Sequence, residues 1–116
     1  MSAKKHVVIV GAGPAGIFTA LELSKNNSVQ VTIIDKGKDL DKRLKSSADG
    51  IYCGWGGAGA FSDGKLNFST ETGGWLSDYI DEKDLSKIIE KVDNIFLKYG
   101  APEKMYGVDE DRILKI

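Results

Sequence analysis

Cysteine and histidine occur once each, as Cys53 and His6, and proline only twice. A single cysteine excludes an intrachain disulfide. One cysteine and one histidine give no ligand cluster for a metal. No block of lysine or arginine offers a nucleic-acid surface: 16 basic and 17 acidic residues are interspersed, for a net charge of -1. The longest apolar run, Val7-Val8-Ile9-Val10, is far too short to span a bilayer. Ahead of it stands only Met-Ser-Ala-Lys-Lys-His, without the apolar stretch and cleavage site of a secretory signal, so a cytoplasmic location is expected. No Gly-x-Ser-x-Gly nucleophile elbow is found. A content of 41% hydrophobic and 28% charged residues argues for a globular chain and against disorder.

Glycine is abundant instead. The 14 glycines are roughly twice the usual share of about 7%. They fall in two clusters, at 11, 13 and 16 and at 50, 54, 56, 57, 59 and 64. Clusters of this kind let backbone turn sharply or approach something closely.

His6–Val10 is a β-branched run suited to a parallel strand buried on both faces. Gly11–Gly16 punctuates it, and Pro14 fits the first turn of a helix because its missing N–H is not needed there. Residues 15–25 read as that helix, with Ile17, Ala20, Leu21 and Leu23 turned to the sheet. Asn26 and Asn27, which tolerate left-handed backbone, end it. Val29, Val31, Ile33 and Ile34 make a second strand ending at Asp35. The expected fold class is therefore α/β: a Rossmann-like βαβ unit over 5–36 with parallel strands, then a Gly-rich loop and helices. Two strands leave the sheet incomplete, so the chain reads as the front of something larger. The unpaired edge predicts self-association, or a partner chain that completes the sheet.

Further along, residues 38–47 suit a short charged helix, 48–64 a loop, and Lys65–Thr70 a strand. A short helical stretch is expected at 75–80. Asp84 suits an N-cap, followed by Leu85, Ile88, Ile89, Val92 and Phe96 at helical spacing. Tyr99-Gly100-Ala101-Pro102 should end that helix, and residues 109–116 should begin another.

The first glycine cluster is a Gly-x-Gly-x-x-Gly fingerprint in its full context: a strand before it, a helix after it, and an acid at the end of the next strand. Gly11 permits the tight turn, Gly13 lets a pyrophosphate reach the backbone, and Gly16 lets helix and strand pack closely. The free N–H groups of the helix start, at Ala15 and Gly16 just after Pro14, would face phosphate. Asp35 can accept hydrogen bonds from ribose hydroxyls, and its charge disfavours a 2′-phosphate. On this ground alone the ligand is FAD or NAD.

The second cluster, taken by itself, is either a surface turn or an anion-binding nest. Its run Gly56-Gly57-Ala58-Gly59-Ala60-Phe61-Ser62-Asp63-Gly64-Lys65-Leu66 resembles the signature of a family of FAD-dependent (NAD/FAD-utilising) dehydrogenases. Members of that family carry the Gly-x-Gly-x-x-Gly unit at the start and an arginine after the second strand, here Arg43. Thr72-Gly73-Gly74-Trp75-Leu76 also looks familial, and the similarity covers nearly the whole chain. The resemblance implies a Rossmann-type flavoprotein in which 1–116 is the N-terminal part of an FAD-binding domain. In it a cofactor loop spans 50–66 and a helical segment 75–116. The 56–66 loop would face the cofactor through Gly57, Ala58, Gly59, Ser62, Asp63 and Gly64. Lys36 and Gly37 resemble the basic-Gly ending of FAD-binding strands, and Arg43 would pair with phosphate. Family members are several times longer, so the small-molecule substrate would meet parts beyond these residues. No catalytic acid or base is assigned. NAD binding and a nucleotide-binding module without activity of its own are the alternatives. Cys53 reads as a plain loop thiol, His6 as non-catalytic, and Trp55 as packing under the loop more readily than stacking on a flavin.

Overall fold

The computed structural model describes residues 4–45 and 52–103. The chain divides between Lys65 and Leu66 into two compact units.

The first unit opens with β1 (Lys5–Val10), α1 (Pro14–Ser24) and β2 (Val29–Ile34). The strands pair in parallel, from Lys5 opposite Val29 to Val10 opposite Ile34. The βαβ unit is thus as expected from strand-type runs separated by an apolar helical stretch. Pro14 is the first helical residue and Gly13 the N-cap, one residue earlier than the pattern suggested. Ile9 faces α1, because a Cβ on Gly16 would meet its Cγ2 at 3.3 Å. Alternation then puts Val7 on the same face and Val8 and Val10 on the other.

That second face departs from expectation. Val8, Val10 and Ile34 are 49%, 86% and 52% exposed rather than buried. Among the described residues α1 alone packs on the sheet, so only one face is covered. The end of α1 departs too. No non-glycine residue has positive φ, so neither Asn26 nor Asn27 enters the left-handed region. Asn26 closes the turn through its side chain, whose Oδ1 accepts from the Ser28 amide at 2.9 Å.

α2 (Leu40–Leu44) is shorter than the charged run suggested, and Asp39 caps it by accepting from the Lys42 amide at 2.9 Å. A 3₁₀ turn spans Ala58–Phe61.

In the second unit no strand forms at 65–70. The side chains there bond the backbone locally: the Ser69 amide donates to Asn67 Oδ1 at 2.8 Å and the Glu71 amide to Ser69 Oγ at 3.1 Å. Such turns compete with ladder formation. Leu76–Asp78 form a 3₁₀ turn, and α3 runs Glu82–Lys98. Asp81, not Asp84, is its N-cap, accepting from the Lys83 amide at 2.9 Å. Asp84 lies in the first turn and pairs with Lys87 at 2.6 Å. Leu85 is buried, Ile89, Val92 and Phe96 are half-buried, and Ile88 lies exposed at the margin of the stripe. Gly100, at φ 95°, ends α3 with a Schellman arrangement. Its amide donates to Leu97 and that of Ala101 to Phe96, both at 3.0 Å. The helix expected over 109–116 lies outside the described residues. No described helix is long and apolar enough to cross a membrane.

Asp81→Ala should lower stability by about 1 kcal/mol, the usual worth of a carboxylate cap. Asp84→Ala, which removes only an exposed ion pair, should cost less than about 0.5 kcal/mol. Urea unfolding followed by helical circular dichroism measures both.

Candidate functional site

The loops at the C-terminal ends of β1 and β2 meet around one carboxylate. Asp35 follows β2, and its Oδ2 accepts the Ala12 amide at 2.8 Å while its Oδ1 accepts the Gly37 amide at 2.8 Å. The Gly54 amide and the Arg43 charge lie nearby. The Ala12 and Gly37 bonds hold the Asp35 carboxyl below its ordinary range against the opposing effect of burial, with smaller help from the Gly54 amide and the Arg43 charge.

Further backbone bonds knit the same three segments. Gly56 donates to the Ala12 carbonyl at 2.8 Å, Trp55 to that of Lys38 at 3.0 Å, and Gly11 to that of Ile34 at 2.7 Å. Ala12 is 1% exposed as a result. The approach of 37 to 54 demands glycine on both sides. A Cβ on Gly37 would stand 2.4 Å from the Gly54 nitrogen, and one on Gly54 2.5 Å from the Lys38 oxygen. Ala12, Gly37 and Gly54 were not among the sequence candidates. Gly37 was quoted only as part of a strand ending, and Gly54 only as a member of a cluster. Their pairing is a tertiary fact with no local signal.

Gly16 behaves as the fingerprint requires, since a Cβ there would lie 2.0 Å from the Gly11 oxygen. At Gly13 the space is clear, with nothing within 4 Å of an added Cβ. The second glycine loop touches the first: a Cβ on Gly57 would lie 3.2 Å from Gly13 Cα and 3.4 Å from Pro14 Cδ, and one on Gly59 3.5 Å from Pro14 Cγ. Gly13 brings no side chain to cap α1. The amides of Gly13, Ala15, Gly16, Ala58 and Gly59 find no acceptor among the described residues. Backbone donors without partners, the positive end of a helix dipole and an absence of Cβ atoms together suit a pyrophosphate. The Asp35 carboxylate, with room for about four acceptor contacts, suits an adjoining ribose. The residues present therefore fit the ADP half of FAD.

The remaining sequence candidates are placed less uniformly. Lys36 is exposed after β2. Ser62 and Asp63 are engaged within their own turn: Ser62 Oγ accepts the Gly64 amide at 3.2 Å, and Asp63 pairs with Lys65 at 3.0 Å. That Lys65 contact, followed by the Lys65 amide, lowers the Asp63 carboxyl. No hydrogen bond joins Ser62, Asp63 or Gly64 to Gly11–Gly16. Arg43 is buried at 2% exposure, with its guanidinium on the Trp55 carbonyl and over the Phe61 ring. Trp55 is 43% exposed, so its indole does not simply pack beneath the loop. Cys53 is half-buried, with its backbone against Gly37. His6 bonds Thr32 Oγ1 at 2.8 Å near the opposite end of the strands from the glycine loops.

Comparison with known proteins agrees with this geometry. Residues 6–108 match the family model described as FAD dependent oxidoreductase. An uncharacterized protein of Clostridium beijerinckii is 43% identical over 74 residues, 54% of this chain and 14% of that protein. Thiamine thiazole synthase 1, chloroplastic, of Vitis vinifera is 62% identical over 34 residues, 29% of this chain and 10% of that protein. The chain thus spans about a seventh or less of the length of these relatives. No solved structure matches.

The depressed Asp35 carboxyl contributes stability that is present above the ordinary aspartate range and lost as pH falls through its lowered native value. Asp35→Asn should be less stable than wild type at neutral pH, and the gap should shrink steadily on acidification. Urea unfolding at a series of pH values checks this; Asp39 and Asp63, also lowered, titrate alike in both proteins and cancel in the difference.

Proposed function

This chain belongs to the FAD-dependent oxidoreductase family, whose cofactor is FAD, and from that premise we propose that its glycine loops and Asp35 bind the ADP half of FAD for a flavin-dependent dehydrogenase. The observation that carries the reading is the set of amides at Gly13, Ala15, Gly16, Ala58 and Gly59 that have no acceptor among the described residues, gathered where two glycine loops touch. Those amides and the start of α1 hold the pyrophosphate, Gly11 shapes the turn, and Pro14 leaves the helix start open. Asp35 takes the ribose hydroxyls and Lys36 flanks it. Ser62, Asp63 and Gly64 edge the cofactor from the second glycine loop, and α3 belongs to the helical segment of the same domain expected over 75–116, of which 104–116 lie outside the described residues. When bound, the flavin carries the redox chemistry, while the protein binds and orients it.

The small-molecule substrate is met by residues outside this set. With the reading go the cytoplasmic location and the self-association or partner chain expected at the open sheet. NAD recedes as the alternative because the family is FAD-dependent.

The test is the visible spectrum of the purified chain after FAD is added and excess removed. A retained flavin band is expected; its absence in a folded chain would overturn the reading. Gly13→Ala has ordinary backbone (φ -78°) and open space around the new methyl. It should stay within about 1 kcal/mol of wild-type stability yet bind FAD at least about tenfold more weakly. Gly16→Ala, which meets backbone, should instead lose about 1–3 kcal/mol of stability or more.

A further inference from the structure

Arg43 occupies a place that a long cation seldom takes. It is 2% exposed, and its Nη1 donates to the Trp55 carbonyl. The guanidinium carbon stands 4.5 Å from the centre of the Phe61 ring, so the cation also rests on a π face. Its stem fills the space beside Gly54, where a Cβ would come within 2.8 Å of Arg43 Cδ. Burying a guanidinium is costly and persists only where its donors are met. Trp55 and Phe61 bracket the segment that sets Gly57 against Gly13 and Pro14. One side chain therefore grips both ends of that segment, and at 2% exposure it presents almost no surface to a phosphate.

We propose that Arg43 is a positioning residue that locks the Trp55–Phe61 segment over the start of α1 before any ligand binds, rather than a direct phosphate contact. Its effect on FAD affinity rests on the functional reading above; its effect on the free chain does not. Lysine cannot replace it, because a point charge lacks the planar fork that bonds and stacks at once.

The chain has two tryptophans, so a Trp75→Phe background leaves Trp55 as the sole reporter. Acrylamide quenching of the free intact chain reads the accessibility of Trp55, and flavin fluorescence titration reads FAD affinity. Arg43→Lys should raise the quenching constant about twofold through local opening. It should also weaken FAD binding about tenfold, the scale of a charge-assisted hydrogen bond. Phe61→Leu keeps the Arg43–Trp55 bond and removes the stack; it should shift quenching the same way by less. It is the deciding variant if Arg43→Lys lacks the wild-type far-ultraviolet dichroism. Unchanged Trp55 quenching in the deciding variant overturns the proposal. Unchanged quenching together with weaker FAD binding would assign Arg43 to the phosphate directly. Raised quenching in a chain that retains no flavin even as wild type would leave the positioning role standing and remove the FAD reading.

Discussion

The Asp35 carboxylate accepts the amides of Ala12 and Gly37 and lies beside Gly54, three residues from loops far apart in the chain. Each of those loops is rich in glycine or turn-forming residues and would otherwise have many conformations to choose from. A carboxylate that collects several backbone donors removes that freedom at one point. The tight approach of Gly37 to Gly54 and the bond from Gly56 to Ala12 follow from the same junction. Placing Asp35 at the end of β2 thus does two jobs at once: it knots the loops and leaves a charged edge beside the start of α1.

Donors absorbed by this knot differ in kind from donors left over. Ala12 and Gly37 spend their amides on Asp35, whereas Gly13, Ala15, Gly16, Ala58 and Gly59 have no protein acceptor among the described residues. A helix start without a side-chain cap is unusual, since serine, threonine, aspartate and asparagine dominate that position. α2 and α3 both have aspartate caps, Asp39 and Asp81. α1 has glycine. The helix that forgoes its own cap is the one whose amides lie beside a second glycine loop, an arrangement that suits an anionic ligand as the missing acceptor.

Local rules made much of this legible. The β-branched runs, Pro14 and the glycine spacing placed β1, α1 and β2 within a residue or so, and Gly100 marked the end of α3. Where local rules failed, the reason was competition among them or a long-range contact. Asp81 and Asp84 both suit a cap, and only the path of the chain into the helix selects Asp81. Lys65–Thr70 has strand-forming residues, yet Asn67 and Ser69 divert the backbone into turns. In the site, the fingerprint residues were readable because each has a local signature. The Gly37–Gly54 approach and the burial of Arg43 were not, because an arginine in a charged run looks the same whether it faces water or a carbonyl from a distant loop.

An amide-resolved NMR titration of the chain with FAD tests the central claim most directly. The account predicts that the largest shifts fall on Gly13, Ala15, Gly16, Ala58 and Gly59, while the Ala12 and Gly37 amides, already held by Asp35, move little. Shifts confined to other parts of the chain, or none at saturating FAD, would contradict it.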